Sequence, residues 1–278
     1  MDTKLQAHDT DPITEEEFIG ARLYTGPMFQ KYNARLRACT MNQHMINQYQ
    51  KLCGSNTYTT TLHAINSAIV KLGKVSAALT VYRGVSDGAL PDAFWEPNEF
   101  DSCGAVEYAF MSTTVDEKVA MDYANKGRTG IVFEIPMGMV DRGANFQWLS
   151  QYPHEAEVTF APLTGLEVLR TRVEGSVIVI TLRPNINLNA LTLSQVIGKY
   201  KKLIGDLCSN IRVDFKHYLS SSAPPMSARQ FETMMSVFDA LKDHIAGNEP
   251  QYYNAGANLR NSLDLLSSCA AARIRHRA

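Results

Sequence analysis

The strong β signal in this sequence is confined to one block, and that confinement limits the fold more than any other feature. From 79 to 184 the chain offers short runs rich in β-branched and aromatic residues: LTVYRGV (79–85), EYAFMSTT (107–114), GIVFEIP (130–136), EVTFAP (157–162), LEVLRTRV (166–173) and SVIVITLRP (176–184). Turn residues bound each run, as they bound the strands of a sheet. Before the block the periodicity is helical. Thr14 and Glu17 form a capping-box pattern that predicts a helix starting at Thr14. Phe29, Tyr32 and Leu36 fall at helical spacing, and further helical patterns cover 41–53 and 58–73, the last closed by Gly73. Inside the β block, DEKVAMDYANKG reads as one helix with acids in its first turn. A doubly wound sheet would alternate strand and helix throughout. Helices first and strands afterwards predict an α+β fold.

Beyond about 190 the β signal ends. Val196, Tyr200, Leu203, Leu207, Ile211, Phe215 and Tyr218 recur at three- and four-residue steps, which predicts an amphipathic helix. SSSAPPMS reads as a linker whose Ser227 pairs with Gln230 as a capping box, and a last helix is predicted over 256–273. The expected organisation is a flexible lead over 1–14, a main domain over 15–189 and a helical extension over 190–278. The apolar stripe of the extension is expected to pack mostly on the main domain.

Several function classes are excluded or disfavoured. The net charge of −1 gives no general basic field for nucleic acid. Locally basic stretches in the extension, GKYKKLIGDL and ARIRHRA, could still dock on a protein partner or a membrane surface. No apolar run reaches the ~18 residues that a membrane span needs. The opening MDTKLQAHDTDPITEEEF is polar and acidic, unlike a signal or transit peptide. Cytoplasmic residence is therefore expected, although an exported effector would look similar. Five scattered cysteines without a C-x-x-C pair predict free thiols and no structural zinc. G-x-G-x-x-G after a strand, the Walker loop, H-E-x-x-H and G-x-S-x-G are all missing.

Three strand-borne elements carry chemistry. Arg83 in VYRGV is a cation inside a β run, where it either pairs with an acid or meets a ligand, and Gly84 beside it would let a ligand approach the backbone. FMSTT ends a strand with the hydroxyls of Ser112, Thr113 and Thr114; Thr114 with Glu117 also fits a capping box for the next helix. In YPHEAEVTF, Glu155 and Glu157 are two apart. On a strand they would share a face about 6–7 Å apart, repelling by roughly 2–3 kcal/mol at an effective dielectric near 20. They either face water on an edge strand or await compensation. A fixed cation, a hydroxyl cluster and paired carboxylates together can grip a diphosphate while a glycosidic bond breaks through an oxocarbenium-like state.

VYRGV, FMSTT and EAE, in this order and about thirty and then about forty residues apart, resemble the arginine–serine–glutamate signature of the arginine-specific mono-ADP-ribosyltransferases. YNARLR upstream and the flanking SQYPHEAEVTF resemble that family too, so the likeness covers about 15–185. It implies two packed, mostly antiparallel sheets behind a helical N-terminal part, with NAD lying across a cleft and no metal required. It also implies roles. Arg83 would bind the NAD phosphates, and Gly84 would meet the nicotinamide amide through its backbone. Ser112, with Thr113 beside it in the NAD site, would position Glu157, which would hold the ribose 2′-hydroxyl and stabilise the oxocarbenium ion. Glu155 would engage the acceptor, a glutamate there being the family's mark for arginine. Arg128, in the loop NKGRTG, would be a second phosphate ligand, although that loop lacks the aromatic often found there. Thr114 stands where the family usually has serine. Phe146, Trp148 and Tyr152 fall where the family displays aromatics to the acceptor, or else serve as packing. The implied activity is transfer of ADP-ribose from NAD to arginine of an acceptor protein, with an NAD glycohydrolase or a non-catalytic interaction module as alternatives.

Overall fold

A computed structural model describes residues 1–86, 88–98, 101–127, 130–186, 191–221 and 228–275. The chain divides into two compact units, Met1–Thr192 and Leu193–Ala278. The first unit opens with helices α1 (Asp2–Ala7), α2 (Glu15–Leu23), α3 (Phe29–Arg37), α4 (Gln43–Cys53) and α5 (Thr59–Gly73). The Thr14–Glu17 capping box is formed in both directions and starts α2. Between α2 and α3 the backbone bends through Tyr24–Met28, where Gly26 leaves helical geometry and Pro27 follows it. The lead over 1–14, expected to be flexible, is tied down. Leu5 of α1 is fully buried, and Lys71 Nζ donates to the Pro12 carbonyl at 2.8 Å.

The strands are β1 (Thr80–Ser86), β2 (Gly104–Glu107), β3 (Met111–Thr114), β4 (Gly130–Pro136), β5 (Ala144–Asn145), β6 (Glu157–Phe160), β7 (Thr164–Glu174) and β8 (Val177–Asn185). The run 107–114, expected as one strand, is two. Its first residue closes β2 and its last four form β3, with Tyr108–Phe110 carrying the chain between them. Helix α6 (Glu117–Ala124) follows β3. Its cap is Asp116, which accepts from Lys118 N, rather than the expected Thr114.

Hydrogen bonding links the strands in the order β2-β7-β8-β4-β1-β3-β6-β5. Among the described strands every pairing is antiparallel except β4 with β8. The two sheets expected from the sequence are joined in one ladder, but the join is thin. β1 meets β3 at a single register pair, Tyr82 with Thr114, whereas β1 meets β4 along its whole length. The halves on either side of this seam share a core in which Val81, Ile131, Phe133 and Ile180 of one half pack with Met111, Val158 and Phe160 of the other. A second core seats α2, α3 and α5 against Phe110, Ala144 and Phe146. A third lays Ala120 and Ala124 of α6 on Val132, Val177 and Val179.

The second unit consists of α7 (Leu193–Ser221), α8 (Ala228–Gly247) and α9 (Gly256–Arg275), with a short turn at Pro250–Asn254 before α9. The stripe read from the sequence enters this unit's core through Leu207, Ile211 and Phe215, while Tyr200 and Leu203 are exposed, 43% and 46%. Ile204, Cys208 and Phe215 of α7 lie with Phe238, Leu241 and Ile245 of α8, Tyr253 of the turn and Leu266 of α9. The Ser227 cap lies outside the described residues. No described helix is long and apolar enough to cross a membrane.

Candidate active site

The seam between the two halves of the ladder opens on one side into a cleft of about 540 Å³. Four pieces of chain wall it: the bend between α2 and α3 with the facing side of α3, the middle of β1, strand β3 with α6, and the segment 152–157. Arg83, Gly84, Ser112, Thr113, Glu155 and Glu157 all line it, so the structure brings these sequence candidates together. Arg128 lies outside the described residues.

Arg83 is partly buried on β1, and its Nη1 donates to the Ser112 carbonyl at 2.9 Å. No described carboxylate forms an ion pair with it. Burial pulls its pKa below the ordinary arginine value, an effect that Glu107 partly offsets. A guanidinium kept from water without a carboxylate partner favours an incoming anion. Glu107, the acid whose charge acts most strongly on Arg83, is engaged by both Nε and Nη2 of Arg37, itself a cleft residue.

Glu157 begins β6 and is only 6% exposed. Ser112 Oγ donates to its Oε1 at 2.6 Å and Thr159 Oγ1 to the same oxygen at 3.0 Å. Because the Ser112 proton goes to the carboxylate, the 2.9 Å contact between Tyr24 and Ser112 has the Tyr24 hydroxyl as donor. Tyr24 is 1% exposed, and burial pushes its phenol up to about 12, so it stays a donor. The chain Tyr24→Ser112→Glu157 thus runs from the helical layer across β3 to β6. Both bonds land on Oε1, and among the described residues none engages Oε2. Burial raises the pKa of Glu157, the bonds from Ser112 and Thr159 pull it back, and Glu155 adds a further upward push.

Glu155 is not where strand alternation predicts. It ends a 3-10 turn over Pro153–Glu155, and Ala156 then takes the left-handed conformation, φ 46 and ψ 49, before β6 starts. The turn replaces a shared strand face as the reason both acids reach the cleft. Glu155 is held by its backbone, whose carbonyl accepts from Thr114 Oγ1 at 2.7 Å. Its carboxylate accepts from the Tyr123 hydroxyl at 3.5 Å, and its charge is the main cause of the raised Tyr123 pKa. The third hydroxyl of the triplet therefore anchors the acid-bearing turn, while the middle one, Thr113, donates to the Val158 carbonyl at 2.6 Å and is buried.

Gly84, which lines the cleft, also meets a packing demand. A Cβ built there would stand 2.0 Å from the carbonyl oxygen of Ala120, so the glycine admits α6. Of the three aromatics before the acids, Phe146 is fully buried in the helical core and is packing. Trp148 and Tyr152 are 45% and 43% exposed, and Trp148 lies against Phe18 with ring centroids 5.9 Å apart. Sequence reasoning missed Tyr24, Asn33, Tyr123 and Thr159. Asn33 lines the cleft, and its buried Oδ1 has no hydrogen-bond partner among the described residues.

Comparison with known proteins identifies a family. The family described as NAD:arginine ADP-ribosyltransferase matches residues 4–187. Among solved structures, the Vis toxin of Vibrio splendidus, described as an ADP-ribosyltransferase, is 22% identical with a TM-score of 0.48, covering 64% of this chain and 76% of its own. The ADP-ribosyltransferase HopU1 of Pseudomonas syringae pv. tomato DC3000 is 19% identical with a TM-score of 0.47, covering 66% and 83%. The eucaryotic mono-ADP-ribosyltransferase ART2.2, solved in complex with NADH, is 17% identical with a TM-score of 0.43, covering 69% and 76%. No curated protein sequence matches the chain.

Proposed function

We propose, from the premise that this chain belongs to the NAD:arginine ADP-ribosyltransferase family and that NAD is its donor substrate, that it transfers ADP-ribose to the arginine side chains of acceptor proteins. The domain over 15–189 is the catalytic part in this reading, and 190–278 is an appended helical unit that offers a partner surface. Residence is cytoplasmic, in the producing cell or in a target cell.

The observation that carries the reading is the free Oε2 of a buried Glu157 whose other oxygen is fixed by Ser112 and Thr159. A carboxylate clamped on one oxygen and open on the other can accept from the ribose 2′-hydroxyl and face the positive charge that develops as nicotinamide leaves. Arg83, lacking a carboxylate partner, pairs with the diphosphate, and Arg37 stands in the same cleft as a second guanidinium. Tyr24 positions Ser112 through its hydroxyl, and Thr113, which lines the cleft with its hydroxyl proton given to the Val158 carbonyl, meets NAD as an acceptor.

Glu155 serves the acceptor. A guanidinium is protonated at neutral pH and is a poor nucleophile until a carboxylate orients it and takes a proton. The new bond joins the guanidino nitrogen to the ribose C1′, the bond to nicotinamide breaks, and the guanidino proton passes to Glu155. The two acids thus divide donor from acceptor, and the cations that offset their repulsion come with the substrates.

The test is incubation with labelled NAD, with and without agmatine as a small arginine mimic, following nicotinamide release and ADP-ribosyl-agmatine. Agmatine-dependent adduct is expected. Nicotinamide release without adduct would instead make the protein an NAD glycohydrolase. Glu155→Gln is expected to abolish the adduct and spare hydrolysis; equal loss of both would remove Glu155 from the acceptor role.

A further inference from the structure

A second pocket, of about 310 Å³, lies on the other face of α3. Arg35 lines it, two residues from both Asn33 and Arg37 and so about 200° round the helix from the side that faces the cleft. Leu36 of α3, Leu62 of α5, Phe110 and Leu163 line its apolar part, and Thr59 stands at the start of α5. The volume matches roughly ten waters at ~30 Å³ each, which suits a small molecule and not a chain segment.

Two observations suggest that this is more than a gap in packing. The first is the guanidinium. Arg35 Nη1 donates to Cys39 Sγ at 3.1 Å, and the group stands 5.5 Å from the ring centroid of Tyr49. No described carboxylate forms an ion pair with it. A thiol and a ring leave most of its five N–H donors available to an anion. The second is Leu163, in the turn between β6 and β7. It is 48% exposed and sits at φ 63, a backbone conformation that a branched L-residue avoids. The hydrogen bond from its N–H to the Glu107 carbonyl, at 2.8 Å, holds it there. An exposed leucine kept in an unfavourable conformation at the mouth of a pocket marks a place where something apolar is to be met.

We propose that this pocket binds a small amphipathic monoanion, its carboxylate paired with Arg35 and its apolar tail laid on Leu36, Leu62 and Leu163. The site is separate from the cleft and does not depend on the transfer reaction.

The test is calorimetric titration of the full chain with octanoate and, as the uncharged control of equal length, octanol. Saturable binding of one octanoate is expected, with octanol about tenfold or more weaker, the worth of one charge-assisted hydrogen bond. Arg35→Gln should weaken octanoate to the level of octanol. Thr59→Trp, a change at an exposed helix start, should block both ligands by filling the pocket, and far-ultraviolet circular dichroism would show that each variant is folded. No binding to the unmodified protein, equal affinity for octanoate and octanol, or folded Arg35→Gln and Thr59→Trp variants that still bind octanoate as tightly would each overturn the proposal.

Discussion

Glu17 and Glu157 are both buried, 0% and 6% exposed, yet they are held in opposite ways. Glu17 has its own cation. Lys71 Nζ, also fully buried, donates to its Oε2 at 2.9 Å, Ser67 Oγ donates to its Oε1, and the Thr14 N–H completes the set. Among the described residues Glu157 receives hydroxyls only, and the Arg83 guanidinium acts on it from a distance. A buried acid with a permanent counter-charge fixes one chain segment to another. A buried acid without one keeps a place for positive charge. The first arrangement secures the N-terminal helices, and the second is where chemistry is expected.

Neutralising each acid should therefore damage a different property. Glu157→Gln should lower the transfer rate on the order of 10²–10⁴-fold by removing charge stabilisation from the transition state. It should leave the melting temperature unchanged or raised. Burial raises this carboxyl's pKa, so the folded state takes up its proton more readily than the unfolded state. The residue's contribution to stability is therefore lost as pH rises through the raised value, and at neutral pH the amide has no charge to desolvate. Matched kinetics and thermal melts check both halves of this statement, and wild-type turnover by the variant would end the assignment.

Lys71→Met should do the reverse. It strands Glu17 without its cation, at a cost of about 3–5 kcal/mol in unfolding free energy, and adding Glu17→Gln should restore much of that. Denaturant titration reads the loss, while activity per folded molecule should be unaffected. Tyr24→Phe tests the hydroxyl chain and should reduce turnover by roughly tenfold, the worth of one buried hydrogen bond of about 1–1.5 kcal/mol, with the Michaelis constant for NAD little changed. Thr159→Val should have the smallest effect on rate. Its loss removes a bond that pulls the Glu157 pKa down, so the acid limb of the pH–rate profile should move to higher pH.

Legibility in the sequence followed the range of the interaction. The Thr14–Glu17 box spans three residues and was readable. The partner that makes Glu17 a buried anchor, Lys71, lies 54 residues away, and no local pattern announces it. Thr159 could have been read from Glu157, since residues two apart on a strand share a face. Tyr24 could not, being 88 residues from the serine it touches. The strand pattern misplaced Glu155 because the turn at Pro153 and the left-handed Ala156 interrupt alternation just before β6. Arg83, Ser112 and Glu157 were gathered by their order and by resemblance, and spacing alone would not have closed them into one cleft. In the second unit periodicity found the helix but only part of its buried face, since Ile204 and Cys208 fill the core and Tyr200 and Leu203 do not.

The dipeptide Arg83–Gly84 reads as a single motif, yet its halves answer to unrelated demands. With the Ala120 oxygen only 2.0 Å from where a side chain would begin, position 84 is closed to redesign: any replacement must first displace α6, taking the core on β4 and β8 with it. A variant at Gly84 that loses activity would therefore report on helix docking before anything its backbone does in the cleft, and within the dipeptide only the side chain at 83 can be varied to tune the chemistry.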